Sequence, residues 1–192
     1  KNIPSKLKKG ANAVIRKDLT TFEFQDESKT VKKVVFAVTI FNKDKQHYGE
    51  LQLWYDKFRT ISDLEGTIYD ADGEEIRDLE KSDTDDYSAI SNYSLYDDAR
   101  VRTAELYYDK FPYTIEYIYE LRYDNFLSWP AWYSRSSTDP VAYSGFEVIT
   151  PVDYELRYWN NFNSSKPEIT IDGIYKIHSW ESRNLFKLPS EA

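Results

Sequence analysis

The 192-residue chain contains no cysteine and no methionine, and it has only six glycines and seven prolines. Without a thiol it can neither form a disulfide nor supply a cysteine nucleophile. The scarcity of Gly and Pro argues against a loop-rich protein. Long apolar runs are also missing: the longest, from Val34 to Phe41, is interrupted by Thr39 and has 8 residues, whereas a membrane-spanning helix needs roughly 20. We therefore expect no transmembrane segment.

Positive charge is in short supply too. The chain has 25 Lys and Arg residues against 33 Asp and Glu residues, which gives a net charge of −8. Phosphate backbones repel such a chain unless it carries a dense basic patch. The best candidate patch, formed by Lys6, Lys8 and Lys9, is short and typical of a solvated terminus. We expect no nucleic-acid partner.

Aromatic residues are abundant. They make up 17% of the chain, with 17 tyrosines and 10 phenylalanines, and hydrophobic residues together reach 41%. That is enough apolar surface for a folded core. Tyrosine is well suited to half-buried strands, where its ring packs and its hydroxyl reaches water.

Period-two alternation dominates the sequence and predicts strands. Residues Tyr113–Tyr123 and Phe146–Tyr158 each alternate an apolar, aromatic face with a charged face. Pro151 lacks an N–H group, so we expect the second of these strands to be an edge strand or to carry a bulge. Val34–Phe41 is apolar on both faces, which predicts a central strand. The residues expected in the core are Phe36, Val38, Ile115, Tyr117, Val148 and Tyr154.

Turn signals separate further strands. Asp72-Gly73 and Asp172-Gly173 each predict a tight hairpin, and Leu51–Tyr55 predicts another strand. The polar segment from Asp83 to Asp98 is predicted to be a long loop, and no segment predicts a long helix. These patterns together predict an all-β fold, an antiparallel two-sheet β-sandwich with long loops and little helix.

Several short sequence motifs occur in a fixed order along nearly the whole chain, from about Leu7 to Glu191. They are GANAVIR (10–16), YDKF (55–58), IYDADG (68–73), KSD (81–83), DDAR (97–100), FPYTIEY (111–117), WPAW (129–132) and the closing Trp180, Asn184, Pro189 and Glu191. In this order they resemble a bacterial domain of unknown function that precedes transglutaminase-like domains in secreted or envelope proteins.

The resemblance implies a β-sandwich of unassigned activity in front of a papain-like domain that carries a Cys/His/Asp triad. Since this chain has no cysteine, no such triad can be placed on it, and the family has no established catalytic residues to transfer. The resemblance also implies one domain over residues 1–192, with a core at about 7–180. Residues 181–192 are then expected to begin a linker to a downstream transglutaminase-like domain.

Histidine and acidic residues are weak candidates for a catalytic or metal site. His47 and His178 each stand alone in the sequence, whereas metal sites usually combine several ligands at short spacing. Asp83, Asp85 and Asp86 form an acidic cluster that could hold calcium, but Ser88 occupies the position where an EF-hand loop needs Gly. The alternative is a solvated loop. We predict no metal, no cofactor and no catalytic residue.

The aromatic segment from Phe126 to Tyr133 is the best candidate for binding. Pro130 stiffens it, so that Trp129, Trp132 and Tyr133 could form a stacking platform for sugars or Pro-rich peptides. The alternative is that the rings plug the end of the sandwich or pack on a neighbouring domain. We therefore expect a non-catalytic accessory or scaffold module of a secreted, periplasmic or envelope protein, with an extracellular glycan- or peptide-binding module as the alternative.

Overall fold

A computed structural model describes residues 3–26, 28–88, 98–124, 129–135, 138–160 and 166–188. Within these ranges a four-residue helix, α1 (Ser5–Lys8), precedes eleven strands, and short 3-10 turns cover Lys43–Gly49 and Lys81–Asp83. The strands are β1 (Ala13–Asp26), β2 (Lys29–Ile40), β3 (Glu50–Tyr55), β4 (Arg59–Tyr69), β5 (Glu75–Asp78), β6 (Thr84–Ser88), β7 (Arg100–Glu105), β8 (Tyr113–Tyr123), β9 (Val141–Pro151), β10 (Glu168–Asp172) and β11 (Tyr175–Leu185). No helix in the described ranges is long and apolar enough to cross a membrane.

The strands form two sheets, which confirms the predicted all-β fold. The large sheet has eight strands in the order β10-β11-β9-β1-β2-β8-β4-β5, and the small sheet has three in the order β3-β7-β6. Strand pairs are antiparallel except for β1 and β9, which run parallel. As predicted from its two apolar faces, β2 is central, between β1 and β8.

Two clusters of buried side chains lie on the inner face of the large sheet. The first lies where β7 and the residue after it, Leu106, cover the sheet, and it includes Val38, Ile115 and Tyr117. The second is aromatic and gathers Phe22, Phe24, Phe146, Val148 and Trp180 on β1, β9 and β11. Phe36 and Tyr154, which were also expected in the core, are half-buried at the margins of these clusters.

Strand β9 differs from its prediction. It ends at Pro151 instead of Tyr158, and it lies between β11 and β1 instead of at an edge. The alternative, a bulge at Pro151, is not present either, because Pro151 pairs in register with Tyr175. The proline stops the strand because it cannot donate to the ladder. The alternating residues beyond it leave the sheet and fold back, so that Tyr154 packs on Phe24 with ring centroids 5.0 Å apart.

Two further boundaries differ from the sequence predictions. Residues Thr84–Ser88 form β6 in the small sheet, within the segment predicted to be a loop, and residues 89–97 of that segment lie outside the described ranges. Strand β11 continues to Leu185, so residues 181–185 belong to the sheet and not to a linker. Both hairpin turns are confirmed: Gly73 and Gly173 have positive φ angles of 89° and 59°, which glycine adopts without strain.

Candidate functional site

Residues 129–133 of the predicted aromatic segment lie over the aromatic cluster on the inner face of the large sheet, and residues 126–128 lie outside the described ranges. Trp129 packs on Phe22 and Phe24, with ring centroids 5.5 and 5.0 Å apart. Trp132 stacks on Phe146 at an interplanar angle of 9°, and its Nε1 donates to Ser144 Oγ at 3.2 Å. Trp132 is half-buried against the aromatic cluster, whereas Trp129 remains 37% exposed and Tyr133 is 75% exposed.

A groove of about 1200 Å³, which we call the aromatic groove, opens beside this segment. Its floor is formed by β9 and β11, one wall by residues 129–135, and the other wall by residues 156–160. Trp159 stands on the second wall and is 82% exposed. The groove thus pairs an exposed Tyr133 with an exposed Trp159 above a floor of buried rings, an arrangement that suits a ligand with flat apolar faces.

Sequence reasoning found one wall of the aromatic groove and missed the other. Residues up to Tyr158 were assigned to a strand, and Trp159 was not singled out. The signal that could have found this wall is Pro151, because a strand that ends there frees the following aromatic residues to fold over the sheet. The contributions of Phe146 and Trp180 to the floor depend on the pairing of β9 with β11, which sequence alone does not reveal.

The two histidines lie in unrelated places. His47 is in the 3-10 turn Lys43–Gly49 and stacks on Tyr48 with centroids 4.9 Å apart. His178 is buried in β11 against the rings of Tyr158 and Trp180, and the centroid of each ring lies 6.2 Å from its own. Its Nδ1 has no hydrogen-bond partner among the described residues. Burial, with a contribution from nearby Lys176, lowers the pKa of His178 below its ordinary value of 6.5.

Two of the three candidate calcium ligands form ion pairs with arginines, and the third is exposed. Asp83 accepts from Arg77 at 2.6 Å, and the hydrogen bond from Arg77 lowers the pKa of Asp83. Asp86 contacts Arg100 and Arg102 in β7. Asp85, its neighbour in β6, is exposed. Among the described residues no group of three or more His, Asp or Glu side chains is placed to hold a metal ion.

Asp86 is the centre of a polar network on the small sheet. It contacts Arg100 at 2.7 Å and Arg102 at 3.0 Å, and Tyr55 donates its hydroxyl to the carboxylate at 2.6 Å. The hydrogen bond from Tyr55, followed by those from the arginines, lowers the pKa of Asp86. With its charge balanced within the sheet, this carboxylate serves to join β3, β6 and β7.

The chain is similar to several solved structures. A proposed protease from Parabacteroides distasonis matches with a TM-score of 0.74 at 16% identity, over 94% of this chain and 37% of that protein. Legionella pneumophila aminopeptidase A in complex with aspartic acid matches with a TM-score of 0.44 at 11% identity, over 92% and 21% of the two chains. An M1 zinc metallopeptidase from Deinococcus radiodurans matches with a TM-score of 0.42 at 10% identity, over 90% and 39%.

The first of these similarities is a similarity of fold, and the chain spans 37% of the length of the Parabacteroides protein. No curated protein matches the sequence. The family model of a domain of unknown function with a solved structure, DUF3857, matches residues 26–188. Because this range covers most of the chain and nearly all of its strands, the chain belongs to the DUF3857 family.

Proposed function

We propose that the chain is a non-catalytic accessory or scaffold β-sandwich of a transglutaminase-like protein that is secreted or resides in the bacterial periplasm or envelope. Its partner is a downstream transglutaminase-like domain of the same polypeptide. Two facts support a modular role: the chain matches a domain family without assigned activity, and its fold occupies 37% of a larger protein described as a proposed protease.

The observation that carries the proposal is an exposed apolar surface beyond the end of β11. Leu188 N donates to the carbonyl of Thr138 at 3.0 Å, and Lys187 Nζ donates to the carbonyl of Gly10 at 3.2 Å. These bonds hold the segment against the sandwich. Even so, Phe186 is 56% exposed and Leu188 is 45% exposed. Neighbouring apolar side chains held in this way are suited to packing on another domain.

The first experiment uses the longer polypeptide. We expect a Cys/His/Asp domain after residue 192, and we expect the double variant Phe186→Ser/Leu188→Ser to lower the thermal midpoint of that domain. Ile171→Ser is the matched control, because Ile171 is 67% exposed but pairs with Lys176, at the opposite end of β11 from Phe186. The absence of such a domain, or equal midpoints for the double variant and the wild type, contradicts the scaffold role.

A second experiment tests the lack of catalysis. The isolated chain is expected to show no amidase, protease or transglutaminase turnover, because it has no cysteine and because His178 is enclosed by aromatic rings. Turnover that disappears in His47→Ala or His178→Ala would establish an enzyme and overturn the proposal.

The aromatic groove favours a second candidate function, the binding of an extracellular glycan or peptide. Tyr133 and Trp159 present exposed rings on opposite walls. A stacked ring contributes about 1 kcal/mol beyond its burial, which is about fivefold in affinity. Binding would therefore be weak for a single site and would depend on tethering or multivalency.

Titration of a chito-oligosaccharide and of a proline-rich peptide, followed by tryptophan fluorescence, tests this candidate. Trp159→Ala is expected to weaken binding about fivefold. Trp54→Ala is the matched control, because Trp54 is 51% exposed but lies on the small sheet. Equal affinities for the two variants, or no binding of either probe, would exclude the groove as the site.

A further inference from the structure

Two opposite charges lie on the inner face of the large sheet, where the neighbouring side chains are apolar. Asp18 in β1 is paired with Phe36, and Lys32 in β2 is paired with Phe22. Both charged residues are half-buried, and both belong to central strands. Sheets normally place charged side chains on the solvated face, so these two positions are exceptions that need a reason.

A β-bulge puts Asp18 on this face. The register of β1 against β2 shifts between Ile15 and Lys17, so one residue is inserted and the alternation of the strand changes. Ile15 pairs with Val38 and Asp18 pairs with Phe36, which places Ile15 and Asp18 on the same face. Without the bulge, Lys17 would take the inward position. Bulges of this kind commonly redirect a side chain beside a functional site.

The two charges carry a desolvation cost that their mutual attraction only partly offsets. Burial raises the pKa of Asp18, and the charge of Lys32 only partly opposes this effect. Burial also lowers the pKa of Lys32, and nearby Arg59 lowers it further. Neither side chain makes a hydrogen bond or an ion pair shorter than 4.0 Å within the described ranges. Charged groups kept in a cavity at such a cost are typical of binding sites.

Asp18, Thr20 and Lys32 line two adjoining cavities of about 450 and 490 Å³. We call the two cavities together the central trough. Arg135 lines the first cavity, while Glu50 lines the second. Arg135 donates to the carbonyl of Asp139, and Glu50 accepts from the Tyr107 hydroxyl, so Asp18 and Lys32 are the two charged groups that both cavities share.

We infer that the central trough binds a short peptide with free termini. The peptide carboxylate would lie toward Lys32, and its ammonium group would lie toward Asp18. Lys32 lies four residues along β2 from the partner of Asp18, which is about 13 Å along the sheet. An extended peptide of about four residues has that length. The first trough cavity and the aromatic groove share residues 130–133, Arg135 and Phe146, whereas Trp159 lines only the groove.

Calorimetric titration of the intact chain with tetra-alanine, up to millimolar concentration, tests the inference. We expect binding that weakens at least tenfold when the amino end is acetylated and at least tenfold when the carboxyl end is amidated. Asp18→Asn and Lys32→Met should each weaken binding of the free-ended peptide at least tenfold, whereas Asp18→Glu and Lys32→Arg should retain most of it. No binding of tetra-alanine, or equal binding of the blocked peptides, would overturn the inference.

Matched variants distinguish peptide binding by Asp18 and Lys32 from a purely structural role of these two residues. Asp63→Asn and Lys33→Met remove the same charges at exposed positions of β4 and β2 and should leave binding unchanged, as should Trp159→Ala in the aromatic groove. Because the trough charges are kept at a cost, Asp18→Asn and Lys32→Met should keep or raise the thermal midpoint. A fall of several degrees with unchanged peptide affinity would show that the charges serve the fold and would refute the site.

Discussion

Ile115 lies in the middle of the inter-sheet core, and its truncation gives a stability change that can be worked out from the structure. Its side chain is fully buried, as are those of Val38 and Ile68, its partners on β2 and β4. Ile115→Ala removes three buried carbons, worth about 0.8 kcal/mol each or about 2.4 kcal/mol together. A residual cavity of about 50 Å³ adds about 1.2 kcal/mol at about 24 cal/mol per Å³.

The cavity contribution is expected to persist because the surrounding side chains cannot move in to fill the space. Strand β8 is paired with β2 on one side of Ile115 and with β4 on the other, and Leu106 packs in the same core cluster. We therefore expect the free energy of unfolding to fall by about 3.6 kcal/mol, within the range measured for Ile→Ala changes in cores. For a chain of this length the thermal midpoint should fall by roughly 7–14 °C.

Urea unfolding followed by tryptophan fluorescence and by circular dichroism measures this change. Ile174→Ala is the control, because Ile174 is 70% exposed and its truncation should change stability by less than about 0.5 kcal/mol. If Ile115→Ala lies within about 1 kcal/mol of the wild type, the register that places Ile115 inward and Glu116 outward is wrong.

Three further changes probe other contacts. Gly49→Ala should prevent folding or cost several kcal/mol, because a Cβ there would collide with the carbonyl oxygen of Leu106; native-like far-UV dichroism with an unchanged thermal midpoint would contradict this. Tyr117→Phe should cost about 1 kcal/mol in urea unfolding, because the buried hydroxyl donates to the carbonyl of Gly49 at 2.7 Å, and a neutral result would mean that the bond contributes nothing. His178, whose pKa is lowered in the fold from 6.5, takes up a proton more readily when unfolded, so stability should fall as pH drops through about 6.5. His178→Phe should flatten that slope between pH 7 and 5, and His47→Gln, which leaves His178 in place, should retain it.

The alternation of apolar and polar residues was sufficient to predict a strand where it is regular and ends at a turn. The range predicted for β8, Tyr113–Tyr123, matches the structure, and both Asp-Gly hairpins form as expected because their turns need positive φ angles. The pattern failed for β1, which was not predicted. The bulge between Ile15 and Lys17 interrupts the alternation of inward and outward side chains along β1. The residues of one face therefore cannot be found by counting every second position, or from their charge.

The candidate sites depend on contacts that are distant in sequence, and this limits what the sequence could predict. The aromatic segment was identified because Trp129 and Trp132 lie close together in the sequence. The opposite wall and the floor of the aromatic groove were not identified, because they form only when β9 ends at Pro151 and pairs with β11. Asp18 and Lys32 are unremarkable in the sequence, and only the pairing of a bulged β1 with β2 places both on the inner face.

The parallel pairing of β1 with β9 has a consequence for the order in which the chain can fold during synthesis. Strand β2 follows β1 after a short turn, but the partner of Thr21 on the other side is Glu147, 126 residues later. For most of translation one edge of β1 therefore has no β9 to pair with, and unpaired strand edges promote association between nascent chains. The aromatic half of the core cannot be completed until β9 and β11 emerge, so the first long strand to be made is among the last to gain both of its neighbours.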